Sequence, residues 1–112
     1  MKIAISSTGK NLTDKVSEVF ARCSYFIVAE IENQEIKKFE AIKNESENQM
    51  GGAGISTAQL MAEKNADAVI AKNVGPRALD VLKQFNIDIY CGDGTIKKVL
   101  QEFIDGKLEK MN

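Results

Sequence analysis

The stretch that decides the fold is Asp67-Ala68-Val69-Ile70-Ala71-Lys72-Asn73-Val74-Gly75-Pro76. Its apolar run, residues 68–71, predicts a short buried strand. Gly75 suits the tight turn that follows. Pro76 suits the first turn of a helix, because its missing N–H needs no partner there. Apolar residues then recur at helical spacing: Ala78, Leu79, Leu82 and Phe85. The stretch therefore predicts a strand–turn–helix unit of an α/β domain.

The rest of the chain extends this pattern on both sides. Further strands are predicted over residues 2–6, 25–29, 36–42 and 87–91, from their apolar, aromatic and β-branched residues. Two more glycine-bearing turns, Gly51-Gly52-Ala53-Gly54 and Gly92-Asp93-Gly94-Thr95, precede helical patterns. Thr95 is the expected N-cap of the last helix, and Gly106 its stop. A short first helix with Thr13 as its N-cap is also predicted, because four apolar residues recur at helical spacing: Leu12, Val16, Val19 and Phe20.

The order of these elements predicts one mixed sheet of five strands. The second and third strands form a hairpin around residues 32–35, and the later strands are joined by helical crossovers. Right-handed crossovers place helices on both faces, which gives a three-layer α/β/α sandwich. The expected strand order is 3-2-1-4-5, with the second strand antiparallel. The crevice between strands one and four is then a topological switch point, where open α/β sheets bind ligands.

Length and composition narrow the class of protein. The 112 residues are expected to form a single domain, 1–112, and the net charge is -1. The lysines are dispersed, which argues against a nucleic-acid partner. No membrane-length apolar run or signal peptide is evident, so we expect a cytoplasmic protein. The sequence contains no histidine, which excludes Ser–His and Cys–His catalysis. Cys23 and Cys91 lie three strands apart in the expected order, too far for a disulfide.

The expected topology brings a set of polar residues to the switch-point edge. Glycine N–H groups and helix N-termini there favour an anion, and we predict that the binding residues are Ser6, Ser7, Arg22, Gly51, Gly52, Gly54, Asn73 and Gly75. Cys23 and Cys91 are the candidate metal ligands. These residues also have ordinary structural alternatives: a cysteine as a small apolar residue, a serine closing a strand, a glycine required by a strand–helix connection, or Arg22 as a solvated arginine or an ion-pair partner of Asp14 or Glu18.

Several segments together resemble the dinitrogenase iron–molybdenum cofactor biosynthesis family. They are Asp14–Arg22, Tyr25-Phe26, Gly51–Gly54, Asp67–Pro76 and Gly94-Thr95, in that order along the chain. The resemblance implies a ribonuclease H-like α/β/α fold. It also implies a small carrier or scaffold for iron–sulfur or molybdenum-containing clusters and their precursors.

The chain departs from the family at two places. Family members often carry a histidine in the segment matching Val16–Phe20 and another just before the glycine turn, where this chain has Gln49-Met50. A cluster here would therefore need thiolate ligation from Cys23 or Cys91, or non-covalent capture by N–H groups and Arg22.

Three function classes remain compatible with the sequence. The first is a non-enzymatic carrier of an anionic metal–sulfur cluster or an oxyanion, whose partner is a cluster-biosynthesis protein. The second is an interaction module of the same fold without a cofactor. The third is a small enzyme acting on an anionic metabolite, which the absence of histidine disfavours. A monomer or weak homodimer is expected in each case.

Overall fold

The computed structural model of the protein describes residues 1–111; Asn112, the last residue of the expected domain, lies outside them. The strands are β1 (Lys2–Ser7), β2 (Tyr25–Glu32), β3 (Glu35–Lys43), β4 (Ala68–Ala71), β5 (Asp88–Cys91) and β6 (Glu109–Lys110). The helices are α1 (Ala53–Glu63), α2 (Pro76–Gln84) and α3 (Ile96–Ile104). A single 3-10 turn covers Phe20–Arg22.

The strands form one mixed sheet in the order β3-β2-β1-β4-β5-β6. β2 is antiparallel to both β1 and β3, whereas β4 is parallel to β1 and to β5. The order predicted for the first five strands is therefore confirmed, as is the hairpin. Its two loop residues, Asn33 and Gln34, both have positive φ, as a two-residue hairpin of matching twist requires.

Alternating side chains of the sheet contribute to two separate hydrophobic cores. On β1, Ala4 packs in the core beneath α1 and α2, whereas Ile3 and Ile5 pack beneath α3. β4 divides in the same way, with Val69 on the first side and Ile70 on the second. Helices therefore cover both faces, as the three-layer prediction required; the more specific likeness to ribonuclease H stays a prediction.

The sheet has six strands, so the prediction of five was wrong. β6 pairs antiparallel with β5, Tyr90 opposite Lys110. The Nζ of Lys110 lies 3.1 Å from a carboxylate oxygen of Asp88. A two-residue strand of charged side chains has no apolar periodicity, so sequence pattern could not reveal it.

The helix predicted after β1 is also absent. Val16 packs in the α3-side core and Phe20 in the other core, so the helical spacing of these residues does not mark one helix face. The backbone makes long-range bonds instead: Val16 N–H donates to the Gly94 carbonyl at 2.9 Å, and Ile96 N–H to the Asp14 carbonyl at 2.8 Å. Tertiary contacts with the start of α3 override the local pattern.

The other boundaries differ little from the prediction. Thr95 is the N-cap of α3, its Oγ1 accepting from Lys98 N at 3.2 Å. Gly106 follows the end of α3 with φ of 71°, a conformation that glycine adopts without strain. No helix within residues 1–111 combines the length and the apolar character needed to cross a membrane.

Candidate functional site

A cavity of about 390 Å³ opens where α1 and α2 begin. The walls come from three segments: the first turns of the two helices and the 3-10 turn with the residue before it. The lining residues are Val19, Ala21, Arg22, Gly52, Ala53, Gly54, Ile55, Gly75, Pro76, Arg77 and Ala78. This lining contains apolar groups, backbone and two guanidinium groups, and it contains no acid and no nucleophile.

Both helices reach the cavity without a side-chain cap. Gly52 and Gly75 are the N-cap residues, and neither helix has an acidic residue in its first turn. The first intrahelical bonds are donated by Ser56 and Leu79. The backbone N–H groups before these two residues therefore lack intrahelical acceptors, and no other described residue accepts from them. These unpaired N–H groups belong to Ala53, Gly54, Ile55, Arg77 and Ala78. Two helix dipoles add partial positive charge at the same place.

Glycine is favoured at two of these positions. Gly52 has a φ of 71°, which a side chain would strain. Gly54 lies against α2, because a Cβ placed on it would come within 3.3 Å of the Ala78 Cβ. The two helix starts therefore approach closely enough to share one cavity.

Arg22 is held at the cavity by the segment that connects β3 to α1. Its Nη1 donates to the carbonyls of Glu47 (3.2 Å) and Gln49. Within residues 1–111 it forms no ion pair; the Glu47 carboxylate accepts from Ser24 Oγ at 2.9 Å. The guanidinium group is thus oriented by neutral carbonyls and its charge is not neutralised.

Asn44 anchors the same connecting segment, and sequence reasoning missed it. It is 2% exposed, and its Nδ2 donates to the carbonyls of Ala21 (3.0 Å) and Cys23 (2.9 Å). Its Oδ1 accepts from Ser46 N at 3.0 Å. A buried, fully bonded amide of this kind fixes the backbone on either side of Arg22.

Arg77 is the second cationic residue of the cavity, and it was not among the predicted binding residues. It follows Pro76 in the first turn of α2, lines the cavity and is exposed. It has no ion-pair partner among the residues that the structure describes. The sequence did indicate this residue, because Arg77 directly follows the proline that begins a helix at the switch-point edge.

Two acids near this edge share one lysine. Lys72 Nζ lies 2.9 Å from a Glu18 carboxylate oxygen and 3.4 Å from one of Asp93. The hydrogen bond that Lys72 donates to Glu18, together with the negative charge of Asp93, raises the pKa of Lys72. Glu18 and Asp93 are therefore partners of Lys72, and within residues 1–111 neither forms an ion pair with Arg22 or Arg77.

The predicted binding residues divide into two groups. Gly52, Gly54, Gly75 and Arg22 all line the cavity, while the remaining four do not: Gly51, Ser6, Ser7 and Asn73.

The three polar members of the second group are placed differently. Ser6 and Ser7 are fully buried, and Ser7 Oγ donates to the Gly9 carbonyl at 2.7 Å. Asn73 uses its Nδ2 to hold the Glu18 carbonyl at 2.9 Å. The two serines lie inside the protein, whereas Asn73 is exposed, and none of the three lines the cavity.

Neither candidate metal ligand lines the cavity. Both thiols are free. Cys23 is buried, its Sγ donates to the Phe20 carbonyl at 3.3 Å, and burial raises the pKa of this thiol to about 12. Cys91 is exposed on β5. No group of three or more potential metal-ligating side chains occurs within the described part of the chain. A protonated, buried thiol is a poor metal ligand.

Comparison with known proteins places the chain among relatives of similar length. The uncharacterized protein MJ0580 of Methanocaldococcus jannaschii is 42% identical over 111 residues, covering 98% of this chain and 91% of the relative. The apo form of the orange protein of Desulfovibrio gigas superposes with a TM-score of 0.88 at 28% identity, covering 97% of this chain and 91% of that one.

A second solved structure is also similar to this chain over nearly its whole length. The Thermotoga protein TM1290, determined by NMR, has a TM-score of 0.83 at 32% identity and covers 98% of this chain and 92% of its own. The family described as "Dinitrogenase iron-molybdenum cofactor" matches residues 1–106. The chain therefore belongs to the dinitrogenase iron–molybdenum cofactor family.

Proposed function

We propose that this protein is a non-enzymatic carrier that binds an anionic metal–sulfur cluster, or a precursor of one, without covalent ligation. Membership of the family points to a small accessory role connected with iron–molybdenum cofactor biosynthesis. The observation that carries the proposal is the convergence of two uncapped helix N-termini on one cavity. The cluster is the cargo of this site, to be received from and passed to other proteins of the same biosynthesis.

The charge of the cavity suits an anion of this kind. Five unpaired N–H groups, two helix dipoles and two guanidinium groups act together, with no carboxylate in the lining. Hydrogen bonds from charged donors are about twice as strong as those between neutral groups. Arg22 and Arg77 therefore supply most of the expected affinity, while the N–H groups supply orientation.

The size and walls of the cavity favour a sulfur-containing anion over a small oxyanion. Its volume of about 390 Å³ exceeds the need of one phosphate-sized ion, and Val19, Ile55 and Pro76 make part of the wall apolar. Sulfide is large and polarisable, so it makes favourable contacts with apolar groups. An oxyanion would lose more hydration at such walls without gaining an equivalent contact.

The residues of the cavity also support carriage over catalysis. The lining offers donors and positive charge, but no group that could accept a proton or attack a substrate. The two thiols lie outside the lining. We therefore expect an intact cluster to be bound and released unchanged.

The test is an anaerobic NMR titration of the full chain with tetrathiomolybdate, with molybdate as the matched control. Both are tetrahedral dianions, and they differ only in whether sulfur or oxygen atoms surround the molybdenum. We expect tetrathiomolybdate to bind more tightly and to shift the amides of Ala53, Gly54, Arg77 and Ala78.

Each other outcome has a defined consequence. Equal binding of molybdate would overturn the preference for a metal–sulfur cargo. Absence of binding, or shifts confined to the opposite edge near Asp67 and Asp88, would overturn the carrier proposal. The same surface would then be an interaction module for a partner protein.

A further inference from the structure

One edge of the sheet is formed by a long strand that, among residues 1–111, has no partner on its outer side. β3 has nine residues and pairs with β2 alone. Seven of the nine residues are exposed; only Ile36 and Ile42 are partly buried. At the opposite edge, β6 has only two residues. A long open edge presents unpaired N–H and C=O groups to any complementary strand.

The side chains of β3 divide between the two faces of the sheet. Phe39 lies opposite Ala29, whose side chain belongs to the α3-side core. Glu40 lies opposite Val28, whose side chain belongs to the other core. Lys38 shares the face of Glu40. Phe39 is 43% exposed, so an aromatic side chain is partly open to solvent at the centre of this edge.

A bulge limits the regular part of the strand. Glu30 pairs with Lys38 but Ile31 pairs with Ile36, which leaves Lys37 without an opposite residue. Regular pairing therefore extends from Lys38 to Lys43. A second strand added at the outer edge would match this segment, because bulges locally disrupt the ladder.

The charge pattern of this segment is complementary to itself in one register. Two copies of β3 can pair antiparallel about a twofold axis perpendicular to the sheet. Residues directly opposite each other then have their side chains on the same face of the sheet. The axis must therefore pass through one residue position, where that residue lies opposite its own copy. An axis at Lys38 or Glu40 would place like charges opposite each other. An axis at Phe39 places Lys38 of each copy opposite Glu40 of the other, and the two phenyl rings side by side.

The register through Phe39 also covers the exposed ring. An axis at Ala41 would instead place Phe39 opposite Lys43 and leave Glu40 without a cation. Opposite charges and aromatic pairs at directly opposite positions stabilise antiparallel pairing. Beyond the bulge, the half-buried Ile36 comes to the same face as Ala41 of the second copy, extending the apolar row beside Phe39.

We infer that β3 pairs antiparallel with β3 of a second copy of this chain, about a twofold axis at Phe39, joining two six-stranded sheets into one. No β3 residue lines the cavity between α1 and α2, so the inference is independent of the proposed function. A single-strand interface is small, so we expect a weak dimer with a dissociation constant in the micromolar range or above.

Charge exchange tests the register by analytical ultracentrifugation. Lys38→Glu and Glu40→Lys should each weaken self-association at least about tenfold, because each places two like-charged pairs across the axis. The double variant Lys38→Glu/Glu40→Lys should restore it. An equimolar mixture of the two single variants should form a heterodimer. Lys107→Glu, the same charge change at an exposed site after α3, should have no effect.

Two results would overturn the inference. One is a wild-type chain that stays monomeric at about millimolar concentration. The other is an association that the single charge changes leave intact, or that the double variant fails to restore.

Cross-linking gives a second measurement that detects weak pairing. Residues opposite each other in an antiparallel pair have Cα atoms about 4.5–5.5 Å apart, within reach of a disulfide. In a Cys91→Ser background, Phe39→Cys should oxidise to a covalent dimer much faster than Phe85→Cys. Phe85 is a matched control, since it is 49% exposed and lies after α2. Equal rates would contradict pairing at Phe39.

Discussion

Gly54 and Ala78 meet where α1 and α2 begin. A Cβ on Gly54 would lie 3.3 Å from the Ala78 Cβ and 3.6 Å from the Ala78 backbone nitrogen. This approach brings the two first turns together, so that their unpaired N–H groups face one cavity. A side chain larger than a methyl group at position 54 would therefore press against the start of α2.

Replacing Gly54 by valine should separate the two helix starts. Overpacking of this kind costs about 1–3 kcal/mol, so we expect the free energy of unfolding in urea to fall by that amount. Tetrathiomolybdate binding should weaken as well, because the donor groups diverge. Gly51→Val is the control: its Cβ would meet nothing within 4 Å. A Gly54→Val protein with unchanged stability and affinity would contradict this account.

The sheet order was predictable because it rests on local patterns. One hairpin followed by strand–helix alternations permits few topologies, and the apolar run of β4 has the same bounds in the prediction and the structure. The sixth strand and the loop after β1 were not predictable. They depend on contacts between residues far apart in sequence, such as Val16 with Gly94.

The sequence was sufficient to predict at which edge of the sheet the candidate site lies, but not which residues line it. The topology assigned Arg22, Gly54 and Gly75 to that edge correctly, and all three line the cavity. It could not show which polar groups are used internally. Asn73 belongs to the same edge, yet its amide is bonded to the Glu18 carbonyl. Long-range hydrogen bonds of this kind decide which polar side chains remain free to line the cavity, and the periodicity of the sequence does not reveal them.

Thr95 and Thr13 were both predicted to be helix N-caps, and only Thr95 caps a helix in the structure. Thr95 Oγ1 accepts from Lys98 N at 3.2 Å at the start of α3. Thr95→Ala should therefore lower the free energy of unfolding by about 1 kcal/mol. Thr13, the cap expected for a helix that does not form, is exposed, and Thr13→Ala should stay within about 0.5 kcal/mol of wild type. Urea unfolding of both variants measures the contrast; equal losses would contradict it.

The buried thiol of Cys23 predicts a specific alkaline instability. Burial raises the pKa of Cys23 from 9.0 to about 12. Above pH 9.0 the unfolded thiol ionises while the folded one stays protonated, so the unfolded state is favoured. Stability from this group is complete below that pH and is lost as pH rises towards about 12. Between about pH 8 and about pH 10.5 the loss should reach about 2 kcal/mol.

Cys23→Ala isolates this contribution from other groups that titrate at high pH. The alanine variant starts less stable because it leaves a small cavity, but its decline over the same pH range should be shallower by about 2 kcal/mol. Urea unfolding at both pH values gives the comparison. Parallel declines for the two proteins would show that the thiol ionises equally in both states.

The two arginines provide the most direct test of the cavity as an anion site. Loss of a hydrogen bond from a charged donor costs about 1.5–3 kcal/mol, so Arg22→Ala and Arg77→Ala should each weaken tetrathiomolybdate binding about tenfold to hundredfold. They should differ in stability. Arg22 also holds the carbonyls of Glu47 and Gln49, whereas Arg77 has no described partner, so only the Arg22 variant should unfold more easily.

Lys64→Ala is the matched control, because it removes one positive charge at the other end of α1, where Lys64 is the C-cap. Its affinity should stay within about twofold of wild type, since exposed charges at that distance are screened by salt. Raising the salt concentration should weaken binding to the wild type more than to Arg77→Ala, which has one charge fewer at the site. Cys23→Ser should retain affinity, because no thiol lines the cavity. If Cys23→Ser abolished binding while Arg77→Ala did not, thiolate ligation would replace non-covalent capture as the mechanism.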